Sequence, residues 1–335
     1  MDLSIIIVNW NSADYLRQCL RSIHETVKNI SYEVIVIDNA SYDGSAEMVA
    51  REFPTVKFIQ SSENLGFARG NNEAFKASSG KNLLFLNPDT EVLGDAVEAL
   101  HGRLNSLPRA GAVGGTLLNT DRTVQTSCIQ SFPTVLNQAL DMELLRQRFP
   151  KLPMWGMQAL YSNSSTPAVV EVISGACLMV RRDVFESVGM FSTDYFMYTE
   201  DIDLCYKIRT AGYKACFIKE ARVIHHGGKS SGQPRVNFTS DVLMKDSVSR
   251  FMKKSRGPAA ERLYKLSMTL SALVRLTAIA GMLVFRPSNG RSAELNAIRG
   301  KWEKILAWSV GGEQSVVQLN AANNPKPEAP SPRRV

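Results

Sequence analysis

Acidic and amide side chains stand where the apolar runs of this chain end. Leu83-Leu84-Phe85-Leu86 opens into Asn87-Pro88-Asp89-Thr90-Glu91, so a carboxylate follows a short segment that reads as a strand buried on both faces. In open α/β sheets, ligands bind outside the carboxyl ends of the strands, and Pro88 fixes the turn that presents Asp89. A carboxylate placed there suits a divalent cation and a phosphate. The plainer reading is that Asp89 caps the turn before a helix expected near Gly94. Two earlier runs end alike, in Asn9-Trp10-Asn11 and in Asp38-Asn39-Ala40-Ser41-Tyr42-Asp43-Gly44. Asp38 is thus a candidate acceptor for a base or ribose, with an Asx turn as its structural alternative. Asn64-Leu65-Gly66-Phe67-Ala68-Arg69-Gly70-Asn71-Asn72 starts a helix, where free amides attract anions, yet it matches neither G-x-G-x-x-G nor a P-loop.

A second cluster lies far along the chain. Tyr198-Thr199-Glu200-Asp201-Ile202-Asp203-Leu204 packs three carboxylates into four positions at an expected helix start. The helix dipole accounts for one or two of them, and a partly buried carboxylate raised toward neutral pH is a candidate general base. His225-His226-Gly227-Gly228 ends another strand; an imidazole there would complement Asp89 around manganese, although a single histidine is more often structural.

The elements that must position these groups alternate. Apolar runs at Leu3–Val8, Glu33–Ile37, Val56–Ile59 and Leu83–Leu86 are separated by helical periodicity at Ala13–Val27, from Asp43 to before Pro54, and at Ala68–Ala77. That βαβα order predicts a Rossmann-like, mostly parallel sheet flanked by helices. Residues 119–168 read as an irregular insertion near the cleft. Strand character returns at Val169–Ile173, Ala176–Val180, Lys214–Ile218 and Ala221–Ile224, with a helix from Asp201 to Thr210.

Composition limits the rest. The formal charge of +7 is uneven: from Lys245 to Lys304, 13 Lys/Arg stand against 4 Asp/Glu, a net of +9 that leaves −2 elsewhere. That segment holds a nearly apolar stretch, Leu266–Phe285, interrupted by Arg275. It reads as a basic amphipathic extension lying on an anionic membrane surface, with a spanning helix or a packed core helix as alternatives. No nucleic-acid module is present in the sequence. The five cysteines lack metal or disulfide spacing, and no secretory signal opens the chain, so a cytoplasmic protein peripheral to the inner face of the cell membrane is expected. The expected divisions are residues 1–118 and 119–235 of one domain, a helical extension over 236–315, and a disordered tail over 316–335.

Taken in order, Asn9, Val36 through Gly44, Asn64 through Ala68, Asn87-Pro88-Asp89, Ser174-Gly175-Ala176, Glu200 through Asp203 and His225 through Ser230 resemble the family 2 glycosyltransferases, and among them the bacterial rhamnosyltransferase-like branch. The resemblance covers about Leu3 to Gly232. It implies a GT-A fold, a nucleotide-diphosphate-sugar donor, a glycan or polyprenyl-linked acceptor, and inversion at the anomeric carbon. It further implies Asp201 as base with Glu200 beside it, and Asp89 and His225 as ligands of Mg2+ or Mn2+. Asn9, Asp38, Asn39, Asn64, Gly66, Asn71, Asn87 and Gly175 would line the donor site. The sequence reads Asn87-Pro88-Asp89 where the wider fold has Asp-x-Asp, leaving one carboxylate in the motif. Competing readings are a sugar nucleotidyltransferase and a non-catalytic nucleotide-sugar-binding scaffold.

Overall fold

The computed structural model describes residues 1–141, 143–162, 167–227, 238–285 and 291–311. The chain divides into two compact units, Met1–Arg235 and Val236–Val335.

The first unit opens with the expected alternation: β1 (Leu3–Asn9), α1 (Ala13–Thr26), β2 (Tyr32–Asp38), α2 (Ser45–Glu52), β3 (Lys57–Gln60), α3 (Gly66–Lys76) and β4 (Asn82–Leu86). There follow β5 (Thr90–Leu93), α4 (Ala96–Ser106), β6 (Ala110–Leu118), β7 (Ile129–Gln130), α5 (Val135–Ala139), α6 (Glu143–Arg148), β8 (Ala168–Val170), β9 (Val172–Ile173), β10 (Cys177–Arg181), α7 (Arg182–Ser187), α8 (Glu200–Thr210) and β11 (Lys214–His225). The main sheet runs β3-β2-β1-β4-β10-β6-β11-β5, with β8 also on β11. The four strands from β3 to β4 are parallel. Beyond them the sheet is mixed: β10 runs antiparallel to β4 and β6, and β5 antiparallel to β11.

Side-chain alternation splits the core into two faces. Ile5, Ile7, Val34, Val36, Leu84 and Leu86 join α1, α2 and α4 in one apolar cluster. Phe85, on the opposite face, packs on Phe185 and Phe191 at centroid distances of 5.0 and 4.8 Å.

Local readings change in three places. Thr90–Leu93 is a half-buried strand, and the helix starts at Ala96, so Asp89 precedes a strand instead of capping a helix. The expected pair of strands at 214–224 is one strand whose register slips between Ile218 and Arg222. The Val169–Ile173 run is broken into β8 and β9, which pair with β11 and β7.

The second unit comprises α9 (Phe238–Arg256), α10 (Pro258–Phe285) and α11 (Arg291–Gly311). Trp308 is buried there, donating Nε1 to Asp246 Oδ1 at 3.0 Å and lying against Tyr264. The tail expected over 316–335 and residues 228–237 lie outside the described residues.

Candidate active site

Sheet register brings the last residues of three parallel strands side by side, Asn9 against Asp38 and Asp38 against Gln60. Asn9 Nδ2 donates to Asp38 Oδ2 at 2.7 Å and to Ser45 Oγ at 2.9 Å. Asp38 Oδ1 accepts the Ser41 amide at 2.7 Å and Gln60 Nε2 at 2.8 Å. Asp38 thus ties down the backbone three residues on, one residue beyond the reach of an Asx turn, and it also borders a cleft of about 920 Å³ reaching Tyr15, Arg17 and Tyr42. That volume suits a small ligand. Asp89, His225 and Asp201 do not line this cleft. Asn39 donates Nδ2 to Asn64 Oδ1 and to the Gly66 carbonyl, both at 3.2 Å. The Oδ1 atoms of Asn9 and Asn39 are buried and unpartnered among the described residues, a state that costs about 1–3 kcal/mol per group unless something donates to it.

The end of β4, the start of β10 and the end of β11 contribute a second group. The Asn87 amide donates to the Ala176 carbonyl at 3.0 Å, and His225 sits opposite Thr90 in the β11–β5 register. Asp89 is buried, with Oδ1 3.5 Å from His225 Nε2. His225 Nδ1 lies 3.0 Å from Gln125 Oε1, while Gln125 Nε2 donates to the His225 carbonyl. That carbonyl accepts only, so the Gln125 amide orientation is fixed and Nδ1 carries the ring proton. Nε2 faces Asn87 Nδ2 at 3.3 Å and Asp89 Oδ1, where the neutral ring would present a lone pair. Two electron-pair donors facing each other fit a shared cation. Among the described residues no group of three or more His, Cys, Asp or Glu could hold one, so most positions of such an ion would fall to phosphate oxygens and water.

Gly175 and Asp201 form the third group. Gly175 N–H donates to Asp201 Oδ2 at 2.8 Å, and a Cβ at Gly175 would stand 3.3 Å from Asp201 Cβ. Asp201 Oδ1 accepts from the Ile202 amide at 2.8 Å. Burial raises the Asp201 pKa against these bonds. Glu200 is 7% exposed with Oε2 unpartnered among the described residues; burial, then the adjacent Asp201 charge, pushes it up to about 8. Asp203 turns away to accept from Ser192 Oγ and Tyr195 OH and to pair with Lys207 at 3.4 Å. It anchors the segment that enters α8. Tyr198 and Thr199 there hold φ of +69° and +72°, a left-handed pair that non-glycine residues rarely adopt.

The Asn64–Gly66 turn is construction more than open anion site. Gly66 N–H is taken by Asn64 Oδ1 at 2.9 Å and Phe67 N–H by the Phe196 carbonyl at 3.2 Å. Gly66 has φ +74°, and its Cβ would fall 2.4 Å from that carbonyl. Asn71 donates to the Phe67 carbonyl of its own helix at 3.0 Å. Sequence reading missed Gln60, Ser45 and Gln125. Gln60 could have been found from the β2–β3 register, but nothing local marks Gln125, 100 residues from His225.

A family model for "Glycosyl transferase family 2" matches residues 4–189, and "Glycosyl transferase family group 2" matches 127–292. The chain is 28% identical over 243 residues to the N-acetylglucosaminyl-diphospho-decaprenol L-rhamnosyltransferase of Mycobacterium tuberculosis H37Rv, covering 69% of this chain and 78% of that one. It is 26% identical over 229 residues to the rhamnosyltransferase WbbL of Escherichia coli K12, covering 66% and 82%. Its fold is similar to that of the Pyrobaculum calidifontis mannosyltransferase PcManGT, solved with GDP-Man and Mn2+, at a TM-score of 0.55 and 16% identity over 92% of this chain and 87% of that one. It is also similar to Staphylococcus aureus TarS, solved with UDP-GlcNAc, at a TM-score of 0.53 and 14% identity over 95% and 81%. The fold is GT-A, and the chain belongs to glycosyl transferase family 2 and is a glycosyltransferase.

Proposed function

We propose that this enzyme transfers rhamnose from dTDP-rhamnose, with inversion, to a lipid-linked glycan acceptor in cell-surface polysaccharide synthesis. The observation that carries the reading is the gathering of polar groups along one edge of the sheet: Asn9, Asp38 and Gln60 end parallel strands, Asp89 follows β4 beside His225 at the end of β11, and Gly175, which leads into β10 next to the end of β4, donates to Asp201 of α8. The mycobacterial and E. coli rhamnosyltransferases support the sugar, and the mycobacterial name, with its diphospho-decaprenol, supports the lipid-linked acceptor. In this reading residues 1–118 bind the donor and 119–235 the acceptor, at the cytoplasmic face of the membrane.

Asp38 and its neighbours hold the nucleoside. Asp89 and His225 would hold Mg2+ or Mn2+, which when bound offsets the charge of the leaving diphosphate. Asp201 accepts the proton of the acceptor hydroxyl, and its raised pKa makes it a better base. The hydroxyl oxygen bonds the anomeric carbon opposite the diphosphate as the carbon–oxygen bond to that group breaks. Nucleoside diphosphate leaves, and configuration inverts. Glu200 orients the acceptor, and Gly175 positions Asp201. Heat protection of the purified protein by dTDP, UDP and GDP, with Mn2+ or Mg2+, tests the donor assignment. Preferential stabilisation by dTDP is expected, and protection by none of the three contradicts nucleotide-sugar binding.

A further inference from the structure

Within the second unit, α10 is apolar around its circumference but covered on one side. Tyr264, Met268, Ala272 and Ile279 are buried and lie within one stripe of the helix. On the opposite side Leu263 is 55% exposed, Leu266 55%, Leu270 56%, Leu273 47% and Val274 69%. Their spacing of three and four residues makes a continuous exposed ridge. Only 17% of the helix's most apolar window is buried, too little for a core helix. The lone charge of its central stretch is turned away from the ridge, for the Arg275 guanidinium lies over the Trp302 ring of α11 at 4.3 Å. Basic groups gather at one end of the ridge instead: Lys253, Lys254 and Arg256 close α9, Arg262 opens α10, and all four are exposed.

We infer that this face docks on an anionic phospholipid surface, with the leucine ridge at the headgroup boundary and the Lys/Arg end against lipid phosphates. An exposed apolar stripe of this extent marks an interaction site, and its basic end selects among the occupants. A net of +9 between Lys245 and Lys304 would repel a second copy of the unit and attract an acidic bilayer. A helix in the interface plane keeps its charges wet, whereas a spanning one would carry Arg275 into hydrocarbon. The inference concerns a surface remote in sequence from the proposed sugar site and does not depend on which donor is used.

Flotation of the full chain with phosphatidylcholine vesicles, with and without phosphatidylglycerol, tests it. The native chain should float with the anionic vesicles and be released by salt. Leu266→Glu/Leu270→Glu should lower partitioning roughly tenfold or more with an unchanged melting temperature. Lys253→Gln/Lys254→Gln, which alters only exposed groups, should remove the preference for phosphatidylglycerol and decides the matter if the leucine variant melts early. Equal flotation of native and variant chains overturns the inference. So does a salt-stable dimer that the leucine variant dissociates without any vesicle binding. Nucleoside-diphosphate protection measured on the same variants should not change, so a failure of docking and a failure of the glycosyltransferase site read out separately.

Discussion

At the scale of single residues, Glu200 and Asp201 are neighbours with different surroundings. Asp201 accepts two backbone amides, whereas Glu200 keeps a buried oxygen without a partner among the described residues. Asp201→Asn removes the proposed base while keeping the shape that receives Gly175 N–H. Turnover should fall by about 10²–10⁴-fold. Glu200 carries a folded-state pKa of about 8 against 4.5 in the unfolded chain. The folded state therefore holds the extra proton between those values, and stability falls as pH rises through that window. Glu200→Gln abolishes the titration, so its gain in melting temperature should be larger near pH 8 than near pH 5; an equal gain at both contradicts the burial argument. Gln125 fixes the tautomer of His225. Gln125→Leu should weaken Mn2+ binding by about 10–100-fold, read by titration calorimetry in the presence of nucleoside diphosphate. Asn9, Asp38, Asp89 and His225 were legible because they end apolar runs, but Gln125 was not, since its partner is set only by tertiary topology.

At the scale of elements, β1 to β4 were legible because burial on both faces leaves runs that no solvated segment would carry. β6 was not, because Ala110-Gly111-Ala112-Val113-Gly114-Gly115 trades side-chain bulk for close approach of Ile173 and Ala221. β5 escaped as a four-residue strand that alternates buried and half-buried positions. The loop before α8 is held by side chains that periodicity cannot reveal: Asn72 pairs with the Phe191 backbone, and Asp203 receives Ser192 and Tyr195. Its left-handed residues cost about 1–3 kcal/mol each. Thr199→Gly should therefore raise stability by about 1 kcal/mol in denaturant unfolding while lowering turnover, because the entry to Glu200 and Asp201 loosens. Gly66→Ala should do the reverse to stability, losing about 1–3 kcal/mol through the Phe196 carbonyl clash.

At the scale of the whole molecule, the charge surplus and the carboxylates that would do chemistry are segregated along the chain. Asp38, Asp89 and Asp201 lie within Met1–Arg235, and the basic surplus belongs to Lys245–Lys304 in the second unit. The apolar stretch of α10 was legible from its length, but its division into a covered and an open face required the neighbours α9 and α11. The proposed chemistry is sugar transfer by direct displacement with Asp201 as base. Acceptor-dependent release of dTDP from dTDP-rhamnose, compared between the native chain and Asp201→Asn with Mn2+ present, tests it most directly. The variant should lose release yet still be protected from heat by dTDP; release at the native rate by Asp201→Asn rules Asp201 out as the base.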